Sequence, residues 1–315
     1  MEIKDLAGLS QPLTKLIEVV SSGMGAIYRP IGIRRDAAAQ ADANRVLQVT
    51  QLKLDVTRAN ALAQSDVSNK LVMVEANEQL QERAKVRLEH REVRRQENLE
   101  AIAAAAVAHL PEQASTASVD EDWKTRFFKT AEDVSNADMQ DLWAKILAGE
   151  VASPGTYSVR TLETLKNLSQ HEAEAFRKLR YLALDLGFIL KVDTQGAFTD
   201  FGLTYDDILA VREAGLLADG DTLCMQITFP DTVPFFTYHF NGHWILIEKV
   251  EGGVNPIKLN SFLLTAVGKQ LLSLIEPQVN IEYLKRVASA NSDKASFYFG
   301  TMGCPRESFE KLTAG

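Results

Sequence analysis

The feature that most constrains the fold is a long stretch of chain without a helix breaker. Residues 36–98 contain neither proline nor glycine, and Ala, Gln, Glu, Arg, Leu and Val are the commonest residues there. These residues lose little conformational freedom in a helix, so the composition is typical of one long helix or of a pair of helices. An unbroken helix of this length would span roughly 90 to 100 Å at 1.5 Å per residue. The stretch therefore predicts an elongated helical part.

The apolar residues of this stretch keep neither a regular heptad nor an 11-residue repeat, which argues against a two-stranded coiled coil. Residues 62–70, LAQSDVSNK, include several poor helix formers and favour a turn. Two arrangements stay open at this point, an antiparallel hairpin and a single extended helix. Either one has too little apolar surface for a core of its own, so we expect the chain to form a homo-oligomer.

Composition limits the class of protein. With 315 residues, 46% of them hydrophobic, the chain has enough apolar surface for a sizeable core. The formal charge of -8 argues against a protein that mainly neutralises nucleic-acid phosphates, so no nucleic-acid partner is expected. Two cysteines, Cys224 and Cys304, are too few for a disulfide scaffold. No secretory signal and no run of about twenty apolar residues is present, which predicts a cytoplasmic protein.

Composition also divides the chain into four predicted parts. Residues 1–35 form an amphipathic, glycine-containing segment, and residues 36–110 form the long charged and alanine-rich helical region, ending near Pro111. Residues 111–119 are a small polar linker, and residues 120–315 have the composition of a globular α+β domain.

The first half of that domain has helical periodicity, with acidic caps at the start of DEDWK and a helix predicted to end at Gly149. Beyond Gly187, the runs GFILKVD, LCMQITF, FFTYHF and HWILIEKV predict strands of a small antiparallel sheet. TYDDILAVREAGLL and FLLTAVGKQLLSLI predict helices. The predicted fold class is α+β, with long N-terminal helices, a helical middle and a small C-terminal domain like a winged helix.

A winged helix binds DNA through one helix and a hairpin wing, but the helix in question here is acidic. Its sequence DDILAVREAG contains Asp206, Asp207 and Glu213, with Arg212 as its only cation. Such a helix would repel phosphates, so the pattern favours a protein-binding use of the fold.

No catalytic, cofactor or metal site is predicted. The GMG of residues 23–25 lacks the lysine and hydroxyl residue of a phosphate loop, and Pro30 follows where a helix should begin. His239 and His243 lie on a predicted hairpin that turns at Asn241 and Gly242, with no third ligand at a recognisable spacing, so a structural or exposed pair is expected. We therefore expect a protein that is not an enzyme.

The N-terminal segment permits two interpretations. Apolar residues, small residues and two terminal arginines are typical of a membrane-active segment, although Glu18 and Arg29 would each cost roughly 2.5 to 3.5 kcal/mol at mid-bilayer. The residues expected to contact the membrane are Ile17, Val20, Gly23, Met24, Gly25, Ile27, Tyr28, Ile31, Arg34 and Arg35. In the alternative, residues 23–32 form a hinge that docks an amphipathic helix onto the predicted helical hairpin. The helix carries Leu13, Leu16, Ile17 and Val20 on one stripe.

Residues 120–176 resemble the central block of a bacterial domain-of-unknown-function family met in prophages and defence islands. The positions that carry the resemblance include Trp123, Met139, Gln140, Trp143, Gly149, Glu150, Pro154, Gly155, Ser158 and Arg160. The front part GAIYRPIGIRRDAAAQADA also looks like the start of that family. The resemblance implies no catalytic residue.

The same family is similar to abortive-infection proteins, which implies a role in anti-phage defence. On that interpretation the chain senses a phage protein, oligomerises, and moves from the cytoplasm to the inner membrane, which its N-terminal segment disrupts by forming a pore. The alternative is a soluble protein-binding or scaffolding protein whose N-terminal helix is a packed hinge.

Overall fold

The computed structural model describes residues 10–24, 68–192, 198–220 and 223–313. The chain divides into two compact units, Met1–Gly155 and Thr156–Gly315. The four-part division made from composition stays a prediction.

Helices form the described part of the first unit: α1 (Gln11–Met24), α2 (Ser68–Ala108), α3 (Glu121–Ala131) and α4 (Ala137–Ala152). The predicted acidic cap before α3 is confirmed, since Asp120 accepts a hydrogen bond from the backbone N–H of Trp123 at 2.8 Å. The predicted end of α4 at Gly149 is wrong. The helix continues to Ala152 because its last turn carries the buried side chains of Glu150 and Val151.

Helix α2 is continuous for 41 residues, through the alanine run, and ends shortly before Pro111 as predicted. Its C-terminal part is buried against α4, with Leu99, Ile102, Ala103 and Ala106 at most 8% exposed. Residues 78–88 and 90–94 of the same helix are exposed. Residues 36–67 lie outside the described ranges, so the choice between hairpin and single helix stays open.

The core of the first unit is aromatic at its centre. The rings of Trp123 and Phe127 stack at a centroid distance of 4.9 Å, and Phe127 contacts Trp143 at 5.3 Å. Trp143 and Phe127 are fully buried. The face of α1 that carries Leu16 and Val20 closes this core, because α1 contacts α2, α3 and α4.

The second unit combines helices with two antiparallel sheets, which confirms the predicted α+β class. One sheet has the strand order β1-β5-β2 and the other β3-β4-β6-β7. The elements are α5 (Val159–Asn167), α6 (Gln170–Arg180), β1 (Phe188–Leu190), α7 (Tyr205–Glu213), β2 (Cys224–Ile227), β3 (Phe235–Phe240), β4 (His243–Lys249), β5 (Ile257–Leu263), α8 (Ala266–Leu272), α9 (Ile281–Ala290), β6 (Ala295–Thr301) and β7 (Glu310–Lys311).

The three-stranded sheet has the topology of a winged helix. A helix (α6) leads into β1, a single 3-10 turn at Thr199–Phe201 and α7 follow, and β2 and β5 complete the sheet with β5 in the middle. The β3–β4 hairpin is inserted between β2 and β5, where a simple wing would have only a loop. Helix α7 therefore occupies the position of a DNA-recognition helix.

The four predicted strands are β1 to β4, whereas β5 was missed and its last two residues were included in a predicted helix. FLLTAVGKQLLSLI supplies the end of β5 with Phe262 and Leu263, and the helix α8 begins only at Ala266. An apolar run fits both kinds of element, and the antiparallel pairing of Phe262 with Ile189 decides for strand. The strands β6 and β7 were also missed.

The predicted turn between β3 and β4 is confirmed. Asn241 and Gly242 have φ angles of 50° and 79°, the two positive values of a type I′ hairpin turn. Asn241 is buried, and its Oδ1 accepts a hydrogen bond of 2.5 Å from Arg180 at the end of α6. Its amide also donates to the carbonyl of Tyr181 at 3.3 Å, so this turn is anchored to the chain after α6.

Candidate functional site

Helix α1 contains the described part of the expected membrane-active segment. Its Ile17 is 7% exposed and its Val20 is fully buried. A Cβ atom at Gly23 would overlap the ring of Phe128, so the absence of a side chain allows α1 to approach α3 closely. Gly25, Ile27, Tyr28, Ile31, Arg34 and Arg35 lie outside the described residues. Of the helices in the described ranges, none combines the length and the apolar character needed to cross a bilayer.

A cavity of about 540 Å³ lies beside α1. Its walls come from the polar side of α1, from the loop of residues 115–119 and from the first turn of α3. Hydroxyl groups and two lysines are the main polar groups of the lining, which consists of Gln11, Thr14, Lys15, Glu18, Val19, Ser22, Ser115, Thr116, Ala117, Ser118, Val119 and Lys124.

The two lysines are held differently. Lys124 is only 8% exposed, and its Nζ donates to Ser22 Oγ at 3.1 Å and to Glu121 Oε1 at 2.5 Å. Lys15 Nζ donates to the carbonyl of Ser115 at 2.8 Å. Burial lowers the pKa of Lys15, and the carboxylates of Glu150 and Glu18 oppose that shift. The cavity is thus lined by two lysines whose ammonium groups are held by hydrogen bonds, one on α1 and one on α3.

The residues of the family-like block mainly build the scaffold. Trp123 and Trp143 belong to the aromatic core, and Gln140 donates to the carbonyl of Val134 at 2.9 Å and to Asn98 at 3.3 Å. Met139 and Gly149 are half-buried positions of α4. These contacts connect helices and do not form a shared pocket.

The turn that follows α4 is organised by a buried acid. Glu150 is 1% exposed and accepts a hydrogen bond of 2.6 Å from the N–H of Gly155, whose φ angle is 89°. Pro154 is half-buried in the same turn. Ser158, in the second unit, caps α5 by accepting from the N–H of Thr161 at 3.2 Å. Arg160 is exposed.

The two hairpin histidines do not meet. The strand register places His239 opposite Trp244 and His243 opposite Phe240, so the two imidazoles lie on opposite faces of the sheet. The His239 ring contacts Trp244 at a centroid distance of 3.9 Å, and His243 stacks on Phe299 at 4.9 Å. Among the described residues there is no group of three potential metal ligands.

The outer surface of α7 is acidic, with one aromatic side chain. Tyr205 is 54% exposed, and Asp206 and Glu213 are exposed beside it. The single basic residue of the helix, Arg212, is half-buried, with its guanidinium carbon 6.0 Å from the ring centroid of Phe262.

The start of α7 is fixed by a capping box. Asp207 accepts from the N–H of Thr204 at 2.7 Å, and its other oxygen pairs with His171 at 2.9 Å. Hydrogen bonds lower the pKa of Asp207. The largest effect comes from the backbone N–H of Thr204, and smaller effects come from the Thr204 hydroxyl and from His171.

Sequence reasoning identified α7 but missed both the cavity and the His171–Asp207 pair. The partners are far apart in the chain: 109 residues separate Lys15 from Lys124 (124 − 15 = 109), and 36 separate His171 from Asp207. Neither pair has a local spacing signal, since only the packing of helices brings them together.

Comparison with known families finds a match over most of the chain. A family model described as "Protein of unknown function (DUF2806)" matches residues 82–288, which is more than half of the chain. The match begins in the exposed part of α2 and ends in α9, so it covers much more than the block of residues 120–176. No curated protein and no solved structure matches the chain.

Proposed function

We propose that this chain, which belongs to the DUF2806 family, is a protein-binding module without a catalytic activity of its own. The observation that carries the proposal is the surface of α7. This helix has the position of a DNA-recognition helix, yet Asp206 and Glu213 are exposed on it and Arg212 lies against Phe262.

The chemistry of that surface suits a protein with a basic face. Carboxylates repel a phosphate backbone, whereas they attract lysine and arginine side chains and accelerate encounter with a basic partner. The exposed ring of Tyr205 supplies an aromatic group of the kind that is enriched where protein interfaces concentrate their binding energy.

The partner is tested by crosslinking from this surface. A photo-crosslinking phenylalanine derivative at position 205 of the full chain should form a protein adduct in cells. That adduct should disappear when Asp206→Lys and Glu213→Lys are combined, because the electrostatic attraction is reversed. The matched control carries the crosslinker at the exposed Lys166 of α5. Equal adducts from both positions, or an adduct at position 205 that survives the charge reversal, would contradict the proposal.

Nucleic acid provides the second arm of the test. A labelled 30-base-pair duplex, titrated with the full chain at about 50 mM salt, should show no saturable change in fluorescence anisotropy, because low salt already favours any phosphate contact. Saturable binding that is lost in Tyr205→Ala would show that α7 serves as a DNA-recognition helix after all.

The proposed biological setting is anti-phage defence, with self-association of the chain and a phage protein as the trigger. This setting is supported by the resemblance of residues 120–176 to proteins of prophages and defence islands. Challenge of cells with phage, with and without the chain and its Asp206→Lys, Glu213→Lys variant, tests it. We expect the native chain alone to reduce the phage yield; equal yields with and without it would contradict the defence role.

Inner-membrane disruption by the N-terminal segment is the competing proposal. It would require α1 to leave the first unit, because Leu16 and Val20 are buried there. Deletion of residues 1–35 does not separate the proposals, since it would also open the core. The substitutions Arg34→Glu and Arg35→Glu separate the two proposals, when a membrane-potential dye is followed during phage challenge. Depolarisation that these two changes abolish would favour membrane disruption, and no depolarisation would favour the packed helix.

A further inference from the structure

The cavity beside α1 has the volume of a small-molecule site. Its volume of about 540 Å³ falls within the range of roughly 300 to 1,000 Å³ that such sites occupy in proteins. Three separate segments of the first unit meet around it: α1, the loop 115–119 and the start of α3. The protein-binding surface of α7 belongs to the other unit, so the cavity is independent of the function proposed above.

The two lysines of the cavity retain hydrogen-bonding capacity. A lysine ammonium group has three N–H donors. In the described part of the chain, Lys15 Nζ donates to one group, the carbonyl of Ser115, and Lys124 Nζ donates to two, Ser22 and Glu121. Counted over the described residues alone, two donors remain on Lys15 and one on Lys124, and both residues line the cavity.

Hydroxyl groups complete the donor set. Ser115 Oγ accepts from the N–H of Ala117 at 3.2 Å, which shapes the loop, and the side chains of Thr14, Thr116 and Ser118 line the same space. Ammonium and hydroxyl groups that line one space suit the oxygens of an anion, since hydrogen bonds from a cation to a phosphate oxygen are among the strongest in proteins. We infer that this cavity binds a small phosphate monoester.

Two carboxylates limit which phosphate ester fits. Glu121 is engaged by Lys124, whereas Glu18 is exposed at the cavity and would repel a second negative group. Glu18 and Gln11 are suited to accept hydrogen bonds from hydroxyls of the ligand. The ligand class is therefore a singly phosphorylated compound that carries hydroxyl groups, and glycerol 3-phosphate is its simplest probe.

The experiment is calorimetric titration of the full chain with glycerol 3-phosphate and with inorganic phosphate, at constant ionic strength set with sodium chloride. Saturable binding is expected. Lys15→Gln and Lys124→Gln should each weaken it by about tenfold, because each removes a charge-assisted hydrogen bond. Glu18→Gln should tighten binding severalfold, since it removes a repelling charge. The matched control Lys129→Gln changes an exposed lysine on the other side of α3 and should have no effect.

Two controls distinguish loss of the binding site from loss of folding. Glu18→Gln predicts a gain of affinity, which a variant that is merely damaged cannot imitate, and thermal unfolding checks each lysine variant. A phospholipid headgroup is the other source of the same chemistry, so vesicles of phosphatidylglycerol in phosphatidylcholine form a separate arm. The inference is overturned if neither glycerol 3-phosphate nor inorganic phosphate shows saturable binding. It is also overturned if the chain binds the vesicles but neither soluble probe. Equal losses in Lys129→Gln and Lys15→Gln, or no gain in Glu18→Gln, also overturn it.

Discussion

The substitution Leu16→Ala tests whether α1 is a permanent part of the first unit. Leu16 is 1% exposed, on the same face of α1 as the fully buried Val20. If α1 stays in place, the substitution leaves a cavity between α1 and the helices it contacts, which are α2, α3 and α4. If α1 is not packed on the first unit, the substitution should change the stability of that unit very little.

The magnitude follows from the burial of Leu16. A buried leucine shortened to alanine costs about 2 to 5 kcal/mol, as lost transfer free energy plus the cavity that remains. In this core the ring of Phe127 packs against those of Trp123 and Trp143, so the core should collapse only partly into the space left by the leucine side chain. A loss of about 3 kcal/mol in the free energy of unfolding is therefore expected. For a unit of this size that corresponds to a fall in Tm of roughly 6 to 12 °C.

Tryptophan fluorescence during urea and thermal unfolding measures this loss. Trp123 and Trp143 report on the first unit, and a Trp244→Phe background removes the signal of the second. The control is Gln11→Ala, at an exposed position of the same helix, with an expected change within about 0.5 kcal/mol. A loss below about 0.5 kcal/mol for Leu16→Ala would refute the reasoning, because α1 would then contribute nothing to the folded unit.

Three further predictions concern the second unit. Arg180→Met should lower the free energy of unfolding by about 2 kcal/mol in urea, because the Oδ1 atom of the buried Asn241 loses its hydrogen-bond donor; an unchanged midpoint would contradict this. Asp207→Ala should cost about 1 kcal/mol through loss of the cap on Thr204. Since the fold lowers the pKa of Asp207 below its ordinary 3.8, its contribution is present above pH 3.8 and is lost as the pH falls through the folded value. The difference between native and variant stability should therefore shrink below pH 3.8, and a constant difference in acid titrations would refute the linkage. Gly268→Ala should reduce Tm, because its Cβ would collide with the backbone carbonyl oxygen of Leu216. An unchanged Tm would contradict that packing.

Local signals predicted the elements that depend on neighbours in the chain. The cap at Asp120, the uninterrupted helix through the alanine run and the turn at Asn241 and Gly242 are all confirmed. Each depends on interactions within a few residues, where composition and spacing carry the information. The resemblance to a family of unknown function also came from residues close together in the chain, residues 120–176, and a family of unknown function does match the chain, over residues 82–288.

Contacts between distant residues explain the errors and omissions. The pairing of Phe262 with Ile189 makes Phe262 part of a strand although the apolar run that begins there was predicted to be helical, and burial of Val151 extends α4 beyond Gly149. The same apolar stripe on α1 fits a membrane interface and a protein core equally well.

Amphipathicity, turn chemistry and overall charge were thus readable from the chain, and they established an acidic α+β protein with a long helix. Which surface covers each apolar stripe is a different kind of question, because the hydrophobic effect has no direction and does not name a partner. The packing of α1 against Phe128 gives one answer for the first unit. Because of that packing, Lys15 and Lys124 line one cavity, and no pattern in the sequence around either lysine predicts this.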